Sequence, residues 1–290
     1  MRGWRAAILI LRSPLILGRT IAKFFADNGP FLASGIAFDL LLFCIPFSLL
    51  IVSGLGYVLG SSAQALEALQ AVFEQLMPAT HEIFTRNLSV VLANRGLLGL
   101  LGGMLLFLTS SVTFGSVRIA LNTVFQVRKP PGFLKGKAKD FLVMLIATGL
   151  LILMIALASL LALAKSFGDQ LPFLQTSLRP GWVLASTLLG FLFTYALFYL
   201  LYRFSPAKTL QQPALVLASF TGAGLFQLSQ LAFAWYVKIL TQSNVALYGA
   251  FGGMLFFFVW IYYACVVLIV GAEVGWVLQQ ELRSSDGDQR

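Results

Sequence analysis

Apolar and polar positions alternate along this chain on a long wavelength. Six mostly apolar runs stand between basic or mixed connections: Phe31–Leu59, Leu97–Val117, Phe141–Ala164, Trp182–Tyr202, Ala214–Val237 and Leu247–Val277. A helix that crosses a bilayer needs roughly 20 such residues, so the pattern predicts six transmembrane helices. The sixth run is long enough that it must tilt or protrude. The fifth carries Thr221, Gln227, Ser229 and Gln230, a polarity that suits a helix facing other helices or a wet cavity. The fold class expected is all-α, a polytopic membrane protein.

Two weaker patterns flank these runs. Before Pro30, Arg5, Arg12, Arg19 and Lys23 fall within about 40° of one another at 100° per residue. Ile8, Leu9, Leu11, Leu15 and Phe24 supply apolar surface elsewhere. This predicts a basic interfacial helix over residues 1–29, broken or kinked at Pro14. It suits either anionic headgroups or simple anchoring. Between Ser61 and Arg95, Leu66, Leu69, Phe73 and Leu76 recur at helical spacing up to Pro78, and Ile83, Phe84, Leu88 and Val91 begin a second series. Two amphipathic helices over the outer face are expected here, shielding helix ends or capping a cavity.

Composition sharpens the picture. The 290 residues are 59% hydrophobic and only 11% charged, with a mean hydropathy of +0.87. Soluble domains carry about 25% charged residues, so too few charges are present to cover a water-facing surface. The length suits one membrane domain spanning 1–290 without a sizeable soluble domain, and no small-residue cleavage site follows the basic, apolar start. The formal net charge of +9 is explained by its distribution. Fifteen of 20 Lys and Arg fall before the first run, in the second and fourth connections and in the tail 278–290; Arg86, Arg95, Lys165, Arg179 and Lys238 fall on the other side. That bias places both termini in the cytoplasm and removes the reason to invoke nucleic acid.

Several chemistries lack their residues. His81 is the one histidine and stands in the outer connection; zinc needs three or four ligands, so no metal site is expected. No phosphate-binding glycine loop and no nucleophile elbow occur. Cys44 and Cys265 lie in apolar runs and read as small core hydrophobes. No cofactor and no enzymatic activity are expected. Glycines four apart (Gly56 and Gly60, Gly99 and Gly103, Gly249 and Gly253, Gly271 and Gly275) allow close helix packing within the chain or in a homo-oligomer.

Charges within the runs carry the remaining information, because they are costly there. Asp39 lies about 12 Å into the first run at 1.5 Å per residue. Arg118 closes the second, Arg203 the fourth, and Glu273 sits near the inner end of the sixth. All four fall in the expected cytoplasmic half. The two arginines can snorkel; Asp39 is too short and too deep to do so easily. Pairing of Glu273 with Arg118 or Arg203 is expected. So is a polar cavity open to the cytoplasm or the inner leaflet, bounded by the first, second, fifth and sixth helices, reaching Asp39 and drawing on Asn122, Gln227 and Gln230. Pro46 frees a backbone carbonyl mid-helix and predicts a kink.

These residues resemble the YihY/BrkB family of bacterial inner-membrane proteins over most of the chain. The likeness is carried by Ala37-Phe38-Asp39-Leu40-Leu41-Leu42-Phe43-Cys44-Ile45-Pro46, by Arg118-Ile119-Ala120-Leu121-Asn122, by Tyr202-Arg203-Phe204-Ser205-Pro206, and by Tyr248-Gly249, Trp260-Ile261-Tyr262-Tyr263 and Gly271-Ala272-Glu273. Asp39, where an aromatic is expected, and Cys44, where a small or apolar residue is usual, depart from it. The resemblance implies a six-helix inner-membrane fold. The family has also carried a ribonuclease BN label; that chemistry needs clustered metal ligands, and His81 stands alone. Two functions remain: a transporter or flippase of lipid-like or amphipathic molecules, with membrane lipids as partners, or a non-transporting scaffold for envelope maintenance.

Overall fold

The computed structural model describes residues 14–61, 81–129, 132–169, 175–242 and 249–287. Seven α-helices and no strand occur among them: α1 Pro14–Ala26, α2 Gly29–Ser61, α3 His81–Val124, α4 Phe133–Asp169, α5 Gln175–Phe204, α6 Gln212–Gln242 and α7 Gly249–Gly287. Six are long and apolar enough to cross a membrane, over Gly29–Gly54, Ala93–Val124, Leu134–Phe167, Gly181–Phe204, Gln212–Tyr236 and Phe256–Ser284. The all-α polytopic expectation holds.

Arg5, Arg12, the Leu66–Leu76 series and Tyr248 lie outside the described residues. The series over Ile83–Val91 forms no separate helix: it is the first part of α3, continuous with the second span. No proline or glycine stands between His81 and Arg95 to stop it. Likewise α2 runs unbroken through Pro46, whose ring leaves the Leu42 carbonyl without its intrahelical donor.

The chain divides into two compact units, Phe38–Thr113 and the combination of Met1–Ala37 with Phe114–Arg290. Within the first, the C-terminal part of α2 and the N-terminal part of α3 pack antiparallel. Ser53 Oγ donates to the Arg95 carbonyl (2.7 Å), and Thr113 Oγ1 to the Asp39 carbonyl (3.3 Å). A Cβ on Gly102 would lie 3.2 Å from Leu49 and Leu50, so glycine sets that approach.

Within the second unit, α7 packs on α6 and on α1, α5 on α6, and α4 on α5. The α6–α7 crossing depends on small residues. A Cβ on Gly271 would strike Tyr202 Oη and lie 3.0 Å from Gly222 Cα; one on Gly275 would meet Ala218 Cβ at 2.7 Å. Tyr202, wholly buried, donates to the Leu268 carbonyl at 2.8 Å and stitches α5 to α7. These glycines are thus engaged within the chain. The span in α4 is the most apolar and the least covered by protein, while those in α6 and α7 are the most covered. That ordering follows when lipid is the solvent: the helix that lipid surrounds must be apolar on all sides.

Candidate functional site: a charged node at the basic end of the larger unit

At one end of this unit α3 stops at Val124, α4 starts, and α5 hands over to α6 through residues 205–211. The basic residues gather at this end.

Helix α1 is followed by Asn28 in the left-handed region (φ 54°), and the next helix starts at Gly29. This sharp turn lays α1 along α7. Lys23 Nζ then donates to Asp27 Oδ2 (2.5 Å), Glu273 Oε2 (2.6 Å) and the Val124 carbonyl (2.9 Å), which uses all three ammonium protons. Glu273 is fully buried, and its Oε1 is without a hydrogen-bond partner among the described residues. One turn further, Arg19 pairs with Glu281. That pair is exposed and contributes little stability.

The expected pairing of Glu273 with Arg118 or Arg203 is therefore wrong. Arg118 instead holds Asp140 of α4 in a fork, Nε to Oδ1 at 2.7 Å and Nη2 to Oδ2 at 3.2 Å. Gly136 makes room: its Cβ would sit 2.9 Å from the guanidinium carbon. Arg203, half-buried in the last turn of α5, is joined to Glu273 by no hydrogen bond or ion pair among the described residues. The basic stripe corrects in the same sense. Arg19 and Lys23 turn toward the acids of α7, and Leu17, Ile21 and Phe25 form the outward ridge of α1. A carboxylate in an apolar span attracts a lysine more strongly than water-screened headgroups do.

The 205–211 loop is fixed from three helices. Lys139 Nζ donates to the Pro206 carbonyl (2.5 Å), the Ala207 amide to Asn122 Oδ1 (2.7 Å), and the Gln211 amide to the buried Gln279 Oε1 (2.9 Å). Asn122, expected at a polar cavity, thus holds this loop by its side-chain oxygen. Lys208 is held over the Trp276 ring at 5.2 Å, Lys23 lies 5.8 Å from the same ring, and Phe125 stacks on it.

The polarity of the fifth span has a local explanation. Thr221 and Ser229 donate to carbonyls of their own helix. Gln227 is half-buried and Gln230 exposed. Asp39, with Pro46, belongs to the smaller unit and is half-buried there. Among the described residues no group of three or more His, Cys, Asp or Glu could hold a metal ion.

Beside the node, α1, α6 and α7 wall an apolar groove of about 480 Å³. Leu17, Ile21 and Phe24 form one side, Phe220 and Gly224 another, and Val274 the third. Lys23 stood out from sequence only as part of the basic stripe, and Asp27, Asp140 and Trp276 did not stand out. The available signal was an acid or base within a few residues of an apolar span, a criterion applied to Arg118 but not to Asp140.

Residues 20–290 match the family described as Virulence factor BrkB. The chain belongs to the BrkB family. Its relatives include a UPF0761 membrane protein of Alcanivorax borkumensis, 28% identical over 79% of this chain and 53% of the relative, so the chain spans about half that protein's length. A UPF0761 membrane protein of Aliivibrio fischeri is 23% identical over 83% of this chain and 76% of its own. The UPF0761 membrane protein YihY of Salmonella arizonae is 23% identical over 70% and 67%. No solved structure matches significantly. In this BrkB-family chain three of the segments that carried the resemblance supply residues to the node: Arg118 and Asn122, Pro206, and Glu273.

Proposed function

We propose that this membrane protein moves lipid-like or amphipathic molecules in the bacterial inner membrane, with both termini cytoplasmic. The observation that carries the reading is an apolar, laterally placed groove directly beside a buried charged node. Thr20 and Phe24 of the groove flank Lys23, and Val274 adjoins Glu273. An amphipath needs both environments, and the groove's volume falls in the range of roughly 300–1,000 Å³ typical of small-molecule sites. Glu273, an intramembrane carboxylate, is the group that would couple movement to a proton gradient. A second reading, a non-transporting envelope scaffold, is favoured by the fact that Glu273 and Asp140 both sit in ion pairs, since such pairs also fix packing.

The test is a proteoliposome assay with fluorescent phospholipids and lysolipids, with and without a proton gradient. Gly224 lines the groove and has open space at its Cβ position, so Gly224→Leu fills the groove without disturbing the fold. Transport by the wild type that Gly224→Leu abolishes supports the first reading. A wild type that moves no probe under either condition leaves the scaffold ahead.

A further inference from the structure

On the far side of α7 from the groove lies a second recess, of about 630 Å³, lined by Gln126, Val127, Arg128, Lys208, Trp276 and Arg283. Three separate segments deliver its cations. Arg128 follows the α3 cap, where Gln126 turns left-handed (φ 49°) and the Val127 amide closes back on the Asn122 carbonyl at 2.9 Å. Lys208 sits in the loop held by Lys139, Asn122 and Gln279. Arg283 lies seven residues beyond Trp276, on the same face of α7.

Among the described residues no acid lines this recess. The nearby carboxylates are engaged elsewhere, Glu281 by Arg19, Glu273 and Asp27 by Lys23, and Asp140 by Arg118. Three exposed cations around one recess make a local positive potential that an anion would complete. The floor is Trp276, 5% exposed, whose buried Nε1 has no hydrogen-bond partner among the described residues. An indole beside arginines and a lysine at the end of apolar spans is the chemistry of a lipid headgroup boundary, and basic pockets between helices there bind phosphate headgroups.

We propose that this recess binds the phosphate of an anionic phospholipid, with Arg128, Lys208 and Arg283 as its ligands. The proposal names a headgroup chemistry for the amphipath suggested above and rests on that reading only in treating the lipid as cargo; binding stands without it.

The test uses the full-length chain in neutral detergent and counts bound lipid by native mass spectrometry. The probe is short-chain phosphatidic acid, the neutral comparator short-chain phosphatidylcholine, and the competitor inorganic phosphate. Wild type should retain phosphatidic acid in preference to phosphatidylcholine. At about fivefold per charge, R128Q/K208Q/R283Q should weaken retention on the order of a hundredfold. Lys129→Gln, an exposed cation outside the recess, should leave it unchanged. If the triple variant fails to fold, K208Q and R283Q alone should each show the fivefold loss.

Equal retention by wild type and variants, or no preference for phosphatidic acid, overturns the recess as a site. Displacement of the lipid by equimolar inorganic phosphate makes free phosphate the ligand and overturns the lipid assignment. Movement is read separately in the liposome assay. Retention without movement sinks the transport reading alone, and movement of neutral amphipaths without retention sinks only this proposal.

Discussion

Lys23 and Glu273 are 250 residues apart in the chain and 2.6 Å apart in the fold. The contact locks α1 to α7 and puts a cation where the span would otherwise hold an uncompensated carboxylate. Removing one partner of such a pair strands the other, at a cost of roughly 3–5 kcal/mol, whereas replacing both with apolar groups is often neutral. Lys23→Met should therefore lower unfolding stability in detergent sharply, and Lys23→Met with Glu273→Leu should recover most of the loss. Additive effects in this double-mutant cycle would show that the two side chains do not interact energetically.

The helices were legible because span formation depends on local composition. Twenty apolar residues specify a span whatever lies elsewhere, and six helices long and apolar enough to cross a membrane occur among the described residues. The node was not legible, because its pairs depend on which helix ends meet. Lys23 read as a headgroup anchor from its position on a basic stripe, and only the turn at Asn28 brings it to α7. Arg118 stands out as a costly charge, but its partner Asp140 sits 22 residues on, just before the expected start of the next span, where nothing local marks it as that partner. The polar fifth span is well covered by protein, as its polarity suggests, but that polarity does not by itself mark a site. Its hydroxyls are satisfied within their own helix, which periodicity cannot reveal.

The basic-residue bias predicts an orientation that labelling can test. In a chain with Cys44→Ala and Cys265→Ala, a cysteine at Lys129 should react with an impermeant thiol reagent only after spheroplast lysis. One at Lys165, at the opposite end of α4, should react on intact spheroplasts. The reverse labelling pattern would invert the topology and place the basic end outside.

Glycine at position 271 is a packing requirement. Any added carbon meets Tyr202 Oη and the Gly222 backbone, and the backbone has no side chain that can move away. Gly271→Ala should cost about 1–3 kcal/mol of stability by overpacking, and Gly271→Leu should prevent the α6–α7 crossing from closing. Gly103 offers the control, since a Cβ there finds nothing within 4 Å. Size-exclusion profiles of fluorescent fusions in detergent would resolve the difference; equal monodispersity of Gly271→Leu and Gly103→Leu would contradict the crossing.

The end of α3 carries strain that a substitution can relieve. Gln126 occupies the left-handed region at φ 49°. Its amide bonds to the Thr123 carbonyl at 3.0 Å, and the Val127 amide to the Asn122 carbonyl at 2.9 Å. These are the paired bonds of a Schellman cap, whose left-handed position glycine usually fills because a Cβ there crowds the carbonyl. A side chain in that conformation costs roughly 1–2 kcal/mol. Glycine gives some of this back through the greater freedom of its unfolded chain. Gln126→Gly should thus stabilise the protein by about 1 kcal/mol, read as a higher melting temperature in detergent. Gln126→Val, a β-branched residue at the same dihedral, should destabilise it by a similar amount or more. A fall in melting temperature for Gln126→Gly would mean that the glutamine side chain makes contacts worth more than the strain its backbone bears.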